Sequence, residues 1–219
     1  MAPADFRTLA ADPEVELDEL ALALAAEFGP VDADAARARL DELGGDLREA
    51  VADAAPAAEQ ARTCADVLGV RHGFAGDRTD YDHPDNSMLD RVLERRRGLP
   101  ILLAVVYVEV ARRAGVPLAG VGLPGHFVVA HFGAAPPPLI DPFAEGATVE
   151  SDVPAALVRP WSAHETALRM LNNLVSSFVR RSWLEDGIRA ARLRLALPVP
   201  EGERSRMEVE ARALEARLN

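Results

Sequence analysis

The chain has 219 residues, of which 49% are hydrophobic and 27% charged, a composition that suits a soluble globular protein of one or two domains, long enough to bury a core unaided. A formal net charge of −11 disfavours non-specific binding to nucleic acid or to an anionic membrane, and a single cysteine, Cys64, excludes an intramolecular disulfide. The acidic N-terminus lacks the basic-then-apolar pattern of a signal peptide, so the cytoplasm is the expected location.

In chain order, Asp12-Pro13-Glu14 predicts the start of a helix through Leu17, Leu20, Leu24 and Phe28, stopped by Gly29-Pro30. Asp32 opens a second helix with Ala36, Leu40 and Leu43 inward, ended by Gly44-Gly45, and a short third one occupies residues 46–55. A fourth spans residues 57–68, with Ala61, Cys64, Ala65 and Leu68 on one side, which makes Cys64 a small core residue rather than a reactive thiol. After the irregular stretch HGFAGDRTDYDHPDN comes a helix whose Ser87 and Asp90 have capping-box spacing, and capping is the expected use of Ser87. Arg91 and Arg95 to Arg97 form the one basic cluster. At a helix C-terminus they complement the dipole, although an acidic peptide is a second expectation.

Residues 95–143, RRRGLPILLAVVYVEVARRAGVPLAGVGLPGHFVVAHFGAAPPPLIDPF, organise the rest. Pro100 suits a first helical position, residues 101–110 are apolar on nearly every side, and Gly115 stands where a left-handed C-cap is wanted. That run exceeds a buried strand of ~4 to 8 residues and falls short of the ~18 needed to span a membrane. From His126 to Phe132 the period changes to that of a strand, with His126, Val128, Ala130 and Phe132 on one face and Phe127, Val129 and His131 on the other. A hairpin centred near Gly133 and Ala134 places His126 opposite Asp141. Such a pair either locks a tautomer and holds the hairpin together, which is the leading reading, or serves as two thirds of a nucleophilic triad. His126 and His131 face opposite ways, and His72, His83 and His164 show no ligand spacing, so neither a metal nor another cofactor is expected.

Further on, residues 145–160 are linker-like with one edge strand at 147–150. Ser162 and Glu165 form a second capping box, and Leu168, Leu171, Val175 and Phe178 define a long amphipathic helix. Shorter helices follow near residues 188–197 and through Met207, Ala211, Leu214 and Leu218.

The order helix, Gly-His-Phe strand, Asp-Pro resembles the transglutaminase-like, papain-related core. The segments RRRGLPI, PGHF and IDPF resemble the SirB-one N-terminal family of bacterial transglutaminase-like proteins, over residues 31–143. The resemblance implies an α+β fold, with a central helix on a small antiparallel sheet between helical layers, divided as 1–97, 98–150 and 151–219. It also implies that His126 and Asp141 take the places of the catalytic histidine and aspartate. The cysteine is missing. Where catalytic members open the helix with Gly-x-Cys, this chain has Gly98-Leu99-Pro100, and proline offers neither a nucleophile nor a backbone N–H. The residues Tyr81, Asp82, His83, Asp85 and Asn86 resemble a family loop that lines a groove. The expected function is non-catalytic binding of a peptide or protein partner, with acyl transfer or amide hydrolysis through His126 and Asp141 as the alternative and a structural assembly role as the third. No nucleic-acid or membrane partner is expected.

Overall fold

A computed structural model describes residues 4–52, 55–149, 153–154 and 158–218. Its N-terminal layer begins with a helix absent from the sequence reading, α1 (Phe6–Ala10), capped by the Asp5 carboxylate, which accepts the Thr8 N–H. In α2 (Leu17–Ala26) the residues Leu20, Leu22 and Leu24 are buried, and the N-cap is Glu16 without a side-chain bond, not the expected Asp12 turn. Asp32 does cap α3 (Ala33–Ala50), accepting the Ala35 N–H.

The expected break at Gly44-Gly45 does not occur, because α3 runs on to Ala50 and absorbs the separate third helix. Gly44 faces another helix so closely that a Cβ would stand 2.6 Å from the Arg113 Cβ. The glycine permits close approach instead of ending the helix. Likewise α4 (Ala57–Ala65) does not stop at Gly69 but continues as a π-helical turn over Asp66–Arg71, and a Cβ on Gly69 would lie 2.2 Å from the Glu145 carbonyl oxygen.

The stretch read as irregular contains a strand, β1 (Ala75–Gly76), paired in parallel with β2 (Arg97–Gly98). Between them lie a 3-10 turn, Pro84–Ser87, and α5 (Leu89–Arg95), ended by Arg96 in the left-handed region at φ 57°. The expected Ser87 cap is not formed. Met88 is the N-cap of α5, and the Ser87 hydroxyl is buried with no hydrogen-bond partner among the described residues.

Next comes α6 (Pro100–Ala114), with Pro100 in its first turn and Gly115 at φ 78° closing it, as the sequence pattern requires. It packs on a sheet of four antiparallel strands, β3 (Leu118–Leu123), β4 (His126–His131), β5 (Leu139–Asp141) and β6 (Ala147–Thr148), in that order. The sequence reading missed β3, whose glycines dilute the strand pattern. They are needed by its neighbours, since a Cβ on Gly122 would stand 1.9 Å from the Trp161 ring and one on Gly120 2.8 Å from Phe127.

Phe127, Val129 and Ile140 join the main core with α6, whereas Val121, Val128, Ala130 and Leu139 form a second apolar patch covered by Val149, Val153 and Val158. Part of the linker-like segment and the end of its edge strand lie outside the described residues. The capping box of Ser162 and Glu165 is present at the start of α7 (Ala163–Arg180), followed by α8 (Leu184–Leu193), which starts earlier than expected, and α9 (Glu201–Glu215). One continuous apolar cluster runs from Phe6 to Leu214 with α6 at its middle. The fold is α+β, and none of its described helices is long and apolar enough to cross a membrane.

The two neighbouring glycines of α3 give opposite expectations. Gly44→Ala must push α3 away from Arg113 and should cost about 1–3 kcal/mol. Gly45→Ala meets nothing within 4 Å, and in mid-helix it should add about 0.5–1 kcal/mol. Urea denaturation of the two variants decides this, and equal effects would mean that Gly44 does not set the helix separation.

Candidate functional site

The turn at Pro124 and Gly125, the latter at φ 74°, joins β3 to β4 and makes His126 the first residue of β4, paired with Leu123. The expected direct opposition of His126 and Asp141 is shifted: Val129 pairs with Ile140, which on extension sets Asp141 across from Val128. A shift of two residues preserves the face, so His126 and Asp141 become diagonal neighbours within side-chain reach. Their side chains meet, with His126 Nε2 at 2.9 Å from Asp141 Oδ2.

The other oxygen of Asp141 accepts the Phe143 N–H at 2.9 Å and so caps the 3-10 turn Pro142–Ala144. An ionised carboxylate can only accept, so it takes the imidazole Nε2–H, and in the neutral ring Nδ1 is then the acceptor, on a side chain that is 36% exposed. Pro100 occupies the first position of α6, after Leu99 as N-cap.

The loop between β1 and α5 connects these parts. Tyr81 meets Phe143 edge-on at 5.8 Å between ring centroids, and Tyr81, His83 and Leu99 line a cavity of about 190 Å³ with Asn173 and Ser176 of α7. The Asp82 carboxylate pairs with Arg180 at 2.6 Å, and its carbonyl accepts the Ser177 hydroxyl, so α7 clamps the loop from outside.

At the base of the loop is a polar network that the sequence reading did not foresee. Asn86 is fully buried. Its amide nitrogen donates to the Asp80 carbonyl at 2.8 Å, its side-chain oxygen accepts from Arg95 Nη1 at 2.9 Å, and its backbone carbonyl accepts the Leu99 N–H at 2.9 Å. Arg95 Nη2 reaches Asp77 Oδ2 at 2.9 Å, while Asp77 Oδ1 accepts from the backbone N–H groups of Thr79 and Asp80 and from the Thr79 hydroxyl. Burial pushes the Asp77 carboxyl up, but these hydrogen bonds outweigh it and hold the group well below the usual carboxylate range. The Asp-x-Thr-Asp pattern at 77–80 was the available signal for this turn. The Arg95 partners were not legible: the arginine stays on the surface, as expected, but its Nη1 and Nη2 are bonded to Asn86 and Asp77. Arg91 does remain near the surface, beside Glu94.

The other histidines are accounted for singly: His72 meets Asp46, His131 Nε2 meets Gln60, and His164 meets the Ala10 carbonyl. No group of three metal-ligating side chains forms among the described residues. Cys64 is fully buried, and burial pushes its thiol up to about 12.

Residues 34–181 match the family model of the transglutaminase-like superfamily. A UPF0162 protein of Xylella fastidiosa is 36% identical over 154 residues, covering 61% of this chain and 55% of that protein. A UPF0162 protein of Pseudomonas aeruginosa is 38% identical over 122 residues, covering 55% and 44%. Human F-box only protein 21 is 43% identical over 56 residues, covering 26% of this chain and 9% of that protein. The chain thus spans about half the length of these bacterial relatives or less. No solved structure matches it.

Replacing Asp77 by Asn should destabilise the protein by about 1–3 kcal/mol at neutral pH, because the buried acceptor loses its charge while Arg95 keeps its own. A depressed carboxyl contributes stability above its unfolded pKa of ~3.9 and loses it as pH falls through the folded value. The gap between wild type and Asp77→Asn should therefore narrow below about pH 4. Denaturant midpoints at neutral and acid pH measure it, and a constant gap would show that the carboxylate charge is not its source.

Proposed function

The chain belongs to the transglutaminase-like superfamily, and from that premise we propose that it works by binding: a groove beside His126 and Asp141 holds a peptide or protein partner, without thiol chemistry. The observation that carries this reading is Pro100 in the first turn of α6, where the resemblance to catalytic members calls for a cysteine. Proline supplies neither a nucleophile nor an N–H to an oxyanion. The one thiol of the chain, Cys64, is sealed in the core and held protonated. The likeness of RRRGLPI, PGHF and IDPF to the SirB-one N-terminal family supports the same architecture around the pair.

A second reading keeps catalysis. With Asp141 accepting from Nε2, the half-exposed imidazole presents Nδ1 as a base that water or a substrate nucleophile can use. The two readings part at His126. Under the binding reading, His126→Ala weakens partner capture and abolishes no turnover. A robust hydrolase or amine-transfer activity in the wild type, lost in a folded His126→Ala, would establish the second.

Pro100→Cys tests the placement of the pair against α6. A thiol at a helix N-terminus within reach of an imidazole ionises readily, so the new cysteine should alkylate well below pH 8 and lose that reactivity when His126 is also replaced. Losing the rigid proline φ should cost a few tenths to about 1 kcal/mol. Cys64 should label slowly until the protein unfolds. Equal labelling of Pro100→Cys with and without His126 would separate the helix start from the histidine and remove the basis for reading the pair as an active-site remnant.

A further inference from the structure

Phe143, two residues beyond Asp141, carries the site into a second groove of about 580 Å³, bounded by β1, Arg78, Arg97 and Glu145. Part of its wall is the Phe143 ring, which lies against Gly76 so tightly that a Cβ there would stand 2.4 Å from the ring. The Arg78 guanidinium sits over the same ring, 5.3 Å from its centroid. A cation held by its flat face keeps its N–H edges free for an acceptor.

Arg97 is anchored differently, with Nη1 donating to the carbonyls of Gly73 and Arg96. Those bonds orient the guanidinium and do not neutralise it. Among the described residues neither Arg78 nor Arg97 is paired with a carboxylate, although this chain has 35 acidic residues against 24 basic ones. In such a chain unpaired cations are not explained by a shortage of acids. Of the acidic residues that line the groove, Asp77 is already paired with Arg95, which leaves only the exposed Glu145 at the rim.

We propose that this groove receives an acidic peptide segment, with two of its carboxylates taken up by Arg78 and Arg97 and its chain lying across Phe143. The inference deepens the binding reading above and rests on it, by naming the chemistry of the partner. A peptide is favoured over a nucleic acid because a net charge of −11 repels a dense polyanion at long range more than a short peptide.

The probes are acetyl-tetraglutamate amide and its glutamine counterpart, titrated calorimetrically at low salt. The glutamate peptide should bind saturably and the glutamine peptide should not. Affinity should fall about tenfold or more in Arg78→Gln/Arg97→Gln, as expected for losing charge-assisted hydrogen bonds, and should also weaken as salt rises. Arg206→Gln, on α9, should bind like wild type. Both groove arginines are exposed, so the double variant should fold, and each single variant gives an independent reading. Absence of saturable binding, equal binding of the glutamine peptide, or unchanged affinity in the double variant would overturn the proposal. A single-stranded oligonucleotide held more tightly than the glutamate peptide, and released by the same double variant, would overturn it in favour of a phosphate site. None of these readouts involves His126, so success here survives a catalytic role for His126, and failure here leaves the tests of the His126 pair standing.

Discussion

Asn86 is the point on which the site region depends. A buried amide left without partners costs about 1–3 kcal/mol, and this one has both ends of its side chain bonded while its carbonyl takes the Leu99 N–H. That last bond sets where α6 starts, because Pro100 has no N–H and Leu99 is the final donor before the helix. Through Arg95 the same residue is coupled to Asp77, hence to the turn that delivers Arg78, Tyr81 and His83. Three segments that carry candidate functional side chains are thereby positioned by one buried polar network, which is rigid because each member is satisfied.

A second polar device fixes α6 at its other end. Glu109 and Asp18 are buried where α2 meets α6, and Arg113 bridges them, with Nη2 at 2.5 Å from Asp18 Oδ2 and Nη1 at 2.8 Å from Glu109 Oε2, while its Nε reaches Asp41 of α3 at 2.7 Å. Burial and the nearby Asp18 push the Glu109 carboxyl up, against the pull of Arg112 and Arg113. Removing one member of such a group leaves a buried charge uncompensated, so α2, α3 and α6 have little freedom to slide. Their apolar stripes alone would leave that relative setting weakly specified.

The family match from residue 34 to residue 181 covers α3 to the end of α7 and leaves α8 and α9 outside. The matched span therefore contains α6, the sheet, the loop at 77–87 and α7, with the His126 and Asp141 pair and Arg78 and Arg97 inside it, while the C-terminal helices add a further layer to the same core.

The local chemistry of the chain was sufficient for several elements. Pro100 and Gly115 bracket α6, Asp32 caps α3 and the Ser162–Glu165 box opens α7, because each rests on backbone valence within a few residues. The meeting of His126 and Asp141 was also legible, since strand parity survives a register shift of two. What sequence alone misjudged were the glycines. Gly44, Gly69, Gly120 and Gly122 look like breakers, yet each lies inside a helix or strand where another part of the chain comes too close for a Cβ. Whether a glycine ends an element or admits a neighbour depends on what lies across from it. Only the tertiary structure decides that, and it likewise decided that Arg95 would reach Asp77 and Asn86 while, among the described residues, Arg78 and Arg97 were left without carboxylates, because partners far apart in sequence leave no trace in a local pattern.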